Sequence, residues 1–167
     1  SHTFTPYRRI NSLREHFNLP PETRLLVYAG RFTPDKKLPV LIEAVRRLGH
    51  PYHLLLIGGG APVADTANMT CIPFKRNQQQ LARVLGSCDA LVHPGDRETF
   101  GLIVLEAMAC GIPVVGTSGG GVAELVDAST GVLVRPNSVR AMCEGIEALY
   151  TLNREELGRN ALNKARE

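Results

Sequence analysis

A series of short apolar runs, each stopped by glycine or proline, restricts this chain to one class of fold. Residues 25–29 end at Gly30, residues 53–57 run into Gly58-Gly59-Gly60, residues 69–72 stop at Pro73, and residues 90–93 stop at Pro94-Gly95. Residues 112–116 and 131–134 complete the series. Short apolar runs bounded by turn residues read as strands buried on both faces. Between them the spacing changes to three and four. Leu38, Leu41, Ile42, Val45 and Leu48 mark one helix, with Arg46 and Arg47 on its wet side. Leu81, Val84, Leu85 and Cys88 mark another, residues 101–109 a third, 122–126 a short one, and Val139, Met142, Cys143, Ile146 and Leu149 a further one. Ile10, Leu13 and Phe17 place a helix over 7–17, and Leu157, Ala161 and Leu162 a weaker one at the end. Strands alternating with helices predict an α/β fold, a Rossmann-like parallel sheet with helices on both faces, in a single domain over 1–167.

Composition excludes several classes of function. The chain has 167 residues, 44% hydrophobic and 21% charged, enough for a buried core. No apolar run approaches the roughly 18 residues that span a bilayer, and the N-terminus lacks a basic-then-apolar signal pattern. The formal charge is +3, and the basic residues (Arg8, Arg9, Arg14, Arg46, Arg47, Arg159, Lys164, Arg166) are scattered as solvated helix faces would be. With only 5% aromatics, a nucleic-acid surface is not expected. The cysteines Cys71, Cys88, Cys110 and Cys143 have no CxxC spacing, so they read as small buried hydrophobes in a reducing compartment rather than zinc ligands.

In a parallel sheet, ligands bind beyond the carboxyl ends of the strands. The loops at 30–37, 58–62, 73–77, 94–101 and 117–121 all lie there. Arg31 follows a buried strand directly, and Lys36 or Lys37 lies in the same loop; an Arg fork with a Lys point charge suits a diphosphate. Gly58-Gly59-Gly60-Ala61-Pro62-Val63 fails the dinucleotide fingerprint, because Val63 takes the third glycine position and Gln78 to Gln80 stand where an acid belongs. Either a flexible turn or a close backbone approach to a flat ligand explains those glycines. His93 closes a strand and reads as a core residue.

The most informative stretch runs from Glu98 to Gly111. Thr99, Phe100, Gly101 and Leu102 open a helix whose first amides lack intrahelical partners and form an anion site. Glu98 lies just before the helix start. Glu106 lies about 7.5 Å along the axis from Gly101, at roughly 1.5 Å per residue. It is embedded among Ile103, Val104, Leu105, Ala107 and Met108, where a carboxylate is costly unless paired or bonded to a ligand. Carboxylates that accept sugar hydroxyls beside a phosphate-binding helix end suit a nucleotide-sugar. A capping acid with a surface acid, a glycosidase pair, and a metal-binding Asp96/Glu98 pair are the other readings.

On these residues the chain resembles the C-terminal, donor-binding lobe of retaining glycosyltransferases of the GT-B fold, family 4 (group 1). The similar pieces are Tyr28-Ala29-Gly30-Arg31 with Pro34-Asp35-Lys36; residues 55–60; residues 88–94; the whole run from Glu98 to Val115; Gly119-Gly120 with Glu124; and residues 131–134. The resemblance implies transfer of a sugar from a nucleoside diphosphate sugar to an acceptor hydroxyl with retention, without metal or other cofactor. It implies catalytic roles for Arg31, Lys36 and Glu98, with Glu98 at the donor sugar and the two cations at the diphosphate. Donor-binding roles fall on Gly30, Gly58, Gly60, Ile72, Phe74, Thr99, Phe100, Gly101, Leu102 and Glu106, with Glu106 at the ribose and Ile72 and Phe74 near the base. Glycine commonly follows the family's lysine and Lys37 stands there instead, so which lysine reaches phosphate is open, with Lys36 favoured. The resemblance further implies a missing N-terminal acceptor lobe, an isolated lobe that binds nucleotide without turnover, and a cytoplasmic enzyme, with peripheral membrane association of the full-length protein left open. An epimerase lobe of GT-B type and a non-catalytic nucleotide-binding module are the rival functions.

Overall fold

The computed structural model describes residues 12–59, 67–73, 77–96 and 102–167. The elements in order are α1 (Ser12–His16), β1 (Arg24–Ala29), a 3-10 turn (Pro34–Lys36), α2 (Leu38–Leu48), β2 (Tyr52–Gly58), β3 (Met69–Pro73), α3 (Gln78–Ser87) and β4 (Ala90–His93). They continue with α4 (Leu102–Ala109), β5 (Val114–Thr117), α5 (Val122–Leu125), β6 (Gly131–Val134), α6 (Val139–Leu149) and α7 (Arg154–Ala165). The six strands form one parallel sheet in the order β3-β2-β1-β4-β5-β6. The apolar runs therefore form the expected α/β architecture.

The strands sort their side chains by period two. Leu25, Val27 and Ala29 of β1 join one core layer, with Leu85 of α3, Val104 and Met108 of α4, and Ala161 of α7. Leu26 and Tyr28 join the other, with Leu41 and Val45 of α2 and Met142 and Ile146 of α6. Central strands β1, β2, β4 and β5 are buried almost throughout, whereas edge strands β3 and β6 are half-buried. Polar caps start the helices: Asn77 accepts from the amides of Gln79 and Gln80, Ser138 from Ala141, and Asn153 from Glu156. No described helix is long and apolar enough to cross a membrane.

Several readings change. The strand expected at 112–116 is Val114–Thr117: the Ile112 amide still bonds back to Ala107 of α4, and Pro113, which has no amide proton, meets β4 only through its carbonyl, which accepts from Leu91. The final helix is twelve residues long and packs on α4. Arg14 is not a solvated helix-face cation but is 8% exposed, as its ion pair with Asp89 permits. The four cysteines are thiols, with Cys88 and Cys110 buried and Cys71 and Cys143 only partly so.

Candidate functional site

The strand order reverses between β1 and β4, and at such a switch point a parallel sheet offers a crevice at the carboxyl ends of the strands. One lip is the loop after β1; the other is the loop after β4 that leads into α4.

The first lip is held firmly at its root. The amide of Gly30 donates to the carbonyl of Ile57 at 2.9 Å, and that of Phe32 to Gly59 at 2.9 Å. A Cβ on Gly58 would stand 1.7 Å from the carbonyl oxygen of Gly30. The glycine at 58 is therefore required by the approach of β2 to the exit of β1, which is a reason independent of any ligand. Beyond it, Arg31 projects into solvent, and Pro34–Lys36 make a 3-10 turn. The Thr33 hydroxyl, bonded to Asp35 at 2.5 Å, holds the Asp35 carboxyl below its ordinary range, with weaker help from Lys36 and Arg31. Asp35 thus stays ionised among Arg31, Lys36 and Lys37, leaving the lip cationic. Lys37 has φ 56° and ψ 31°, the left-handed conformation, and caps both the turn and α2. Glycine takes that conformation without strain, which explains physically why a glycine suits the position.

The second lip is fastened to three other loops. A Cβ on Gly95 would meet the Asp35 carbonyl and Lys36 Cα at 3.6 Å each, so the two lips touch. The Thr117 hydroxyl donates to the Gly95 carbonyl at 2.7 Å. Asn137, with φ 58°, donates its side-chain amide to Asp96 Oδ2 at 3.2 Å, and Gly119 packs against the Asp96 backbone. Helix α4 then carries Leu102, 65% exposed, at its first turn and Glu106 in its middle. An almost wholly apolar helix is one with neighbours on most sides, and α4 packs against α3, α5, α7, β4 and β5. Glu106 is half-buried among them, and that burial raises its carboxyl pKa above the ordinary 4.5. One turn on, burial and then the Glu106 charge push the Cys110 thiol up to about 12, so this cysteine is inert.

Of the residues expected at the site, Gly30, Arg31 and Lys36 lie on the first lip, Gly58 at its root, and Leu102 and Glu106 on the helix of the second. Ile72 is the penultimate residue of β3, two strands from β1, and borders an apolar cavity of about 280 Å³ between α1 and α3. Gly60, Phe74, Glu98, Thr99, Phe100 and Gly101 lie outside the described residues. Thr117 and Asn137 were missed, since each acts on a residue more than twenty positions away and no local pattern marks it.

The family model for glycosyl transferases group 1 matches residues 10–167. A D-inositol 3-phosphate glycosyltransferase of Stackebrandtia nassauensis is 32% identical over 97% of this chain, which covers 42% of that protein. Sucrose-phosphate synthase of Thermosynechococcus elongatus superposes with a TM-score of 0.85 at 28% identity, over 99% of this chain and 45% of that one. The Anabaena protein HepE, solved in complex with UDP and glucose, has the same fold at 21% identity, with a TM-score of 0.85 over 98% of this chain and 49% of that one. The chain thus spans less than half the length of these relatives. Sheet order, crevice and family match agree: this chain belongs to the group 1 glycosyl transferases and has the Rossmann-like fold of a GT-B lobe.

Proposed function

We propose that this chain is the donor-binding domain of an enzyme that transfers a sugar from a nucleoside diphosphate sugar to an acceptor hydroxyl, with retention. The observation that carries the proposal is the crevice between β1 and β4, with a cationic loop on one lip and a half-buried carboxylate on the helix of the other. Arg31 and Lys36 meet the diphosphate, together with the backbone amides of Phe100, Gly101 and Leu102. Glu106 accepts the ribose hydroxyls and Glu98 the sugar hydroxyls. Gly30, Gly60 and Thr99 are further donor contacts, Gly58 supports them from the root of the first lip, and the base lies near Ile72 and Phe74. As the bond from the anomeric carbon to the diphosphate oxygen breaks, negative charge grows on the leaving diphosphate. Preorganised cations and helix amides stabilise that charge without a metal. The UDP and UDP-glucose complexes of HepE support a nucleotide-sugar as ligand.

The acceptor belongs to a second lobe outside this sequence, so the chain binds nucleotide but transfers little. Four cysteine thiols fit a reducing, cytoplasmic compartment, and contact with a membrane is a matter for the full-length enzyme. Calorimetry of this chain with UDP, GDP and ADP, in the presence of a metal chelator, is expected to show binding of at least one. No binding by any of the three overturns the reading, and robust turnover by the chain alone overturns the two-lobe division of labour. Product analysis of the full-length enzyme without acceptor separates transfer from the rival epimerase, which would release an isomerised nucleotide-sugar.

A further inference from the structure

Tyr28 is 2% exposed, and its ring lies tilted against that of Phe32 with centroids 6.1 Å apart. A phenylalanine would fill this core position. A buried tyrosine adds a hydroxyl that must find a partner, and here it donates to the main-chain carbonyl of Arg31 at 2.6 Å. Just before Arg31 is Gly30, where a Cβ would lie 3.1 Å from that same hydroxyl oxygen. Gly30 and Phe32 are in turn bonded through their amides to Ile57 and Gly59. The peptide that follows Arg31 is thus held at both its carbonyl and its amide, and the peptide before Gly30 at its amide, while the Arg31 side chain is exposed. An arginine side chain is long and entropically expensive to order, so fixing its root is the main way the fold can preorganise it.

We propose that Tyr28 is a positioning residue for the donor diphosphate, acting through the main chain of Arg31. The inference rests on the reading of Arg31 as a phosphate contact, and the test separates the two. Tyr28→Phe, Arg31→Ala and the double variant are titrated with UDP, GDP and ADP and with uridine, guanosine and adenosine. Tyr28→Phe is expected to weaken the diphosphate that binds tightest by about three- to tenfold, the worth of one hydrogen bond, and to leave its nucleoside unchanged. In the Arg31→Ala background it is expected to have no further effect, because the two act as one unit. An unchanged diphosphate affinity in Tyr28→Phe, an equal loss for diphosphate and nucleoside, or additive losses in the double variant each overturn the proposal. If Arg31→Ala leaves diphosphate affinity intact, the underlying phosphate reading fails and the proposal with it. Amide hydrogen exchange over residues 30–32 is the second measurement: it is expected to quicken in Tyr28→Phe, and unchanged exchange there overturns the proposed route through the backbone.

Discussion

The two ends of the sheet use the same kinds of side chain for opposite purposes. At the amino ends of the strands, Arg14 gives its guanidinium to the carbonyl of Thr23 at 3.0 and 2.8 Å and to Asp89 at 3.1 Å. Asp89 also accepts from the amide of Leu25 at 3.0 Å and the hydroxyl of Tyr150 at 2.8 Å. Burial, then the charge of Asp89, raises the Tyr150 phenol well above its ordinary value, so it remains a donor. Arg24 stacks over Tyr52 and Tyr150, and Arg154 over Tyr150. At the carboxyl ends, Arg31 is exposed, Lys36 and Glu106 are half-buried, and the loops around them are bound to one another by Thr117, Asn137 and Tyr28. Polar groups that satisfy each other stabilise a fold. Charged groups carried on loops and a helix at a switch point of the sheet stand where a ligand binds.

The sharpest way to break this contrast is Asp89→Ala. It removes one partner of a buried pair and leaves Arg14 uncompensated, which is expected to destabilise by about 3–5 kcal/mol in urea unfolding. The nucleotide affinity of the protein that remains folded is expected to hold, since the network lies at the opposite edge. A matching loss of affinity would show that the two ends are coupled.

Glu106→Gln tests the other end, and the sign of its effect on stability depends on pH. Burial raises the folded pKa of Glu106 above the unfolded value, so the native state binds the extra proton between the two. Glu106 therefore subtracts from stability as pH rises from the ordinary 4.5 through its raised folded value, and the deficit is fully present above that value. Glu106→Gln is expected to melt higher than wild type at pH 7, with the difference vanishing near pH 4, while nucleotide affinity falls about tenfold at pH 7. A lower melting temperature at pH 7 would instead make Glu106 a structural partner.

The smallest effect is expected at Lys37. Lys37→Gly relieves the left-handed strain of roughly 1–2 kcal/mol but adds unfolded-chain entropy of about 0.4–1 kcal/mol, for a net gain near 0.5–1 kcal/mol. If Lys36 is the phosphate contact, nucleotide affinity is unchanged in Lys37→Gly and falls in Lys36→Ala. The reverse result would transfer the role to Lys37.

Much of the fold was legible because its signals are local. The apolar runs at 25–29, 53–57 and 90–93 became the central strands, and the three- and four-residue spacing in 38–48 and 139–149 became α2 and α6. The positions of Arg31 and Glu106 were legible, because one follows a strand end and the other is a carboxylate in an apolar helix. The burial of Arg14 was not legible. It depends on Asp89, seventy-five residues away, and a guanidinium in a short helix looks solvated until its partner is placed. Gly58 was legible as a close approach, but what approaches it is the Gly30 carbonyl, a contact that exists only once β1 and β2 are paired.

By itself the sequence determined the alternation of strand and helix, the two-sided burial of the sheet and the family, since period, turn residues and the run from Glu98 to Val115 are read within a few neighbours. Only the tertiary structure decided the strand order, and with it the β1–β4 crevice, because pairing is chosen by contacts between segments far apart in the chain. The same holds for the bonds that fix the site loops. Thr117 to Gly95, Asn137 to Asp96 and Tyr28 to Arg31 each need a side-chain donor and its acceptor brought within 3.5 Å, and no spacing rule encodes that distance.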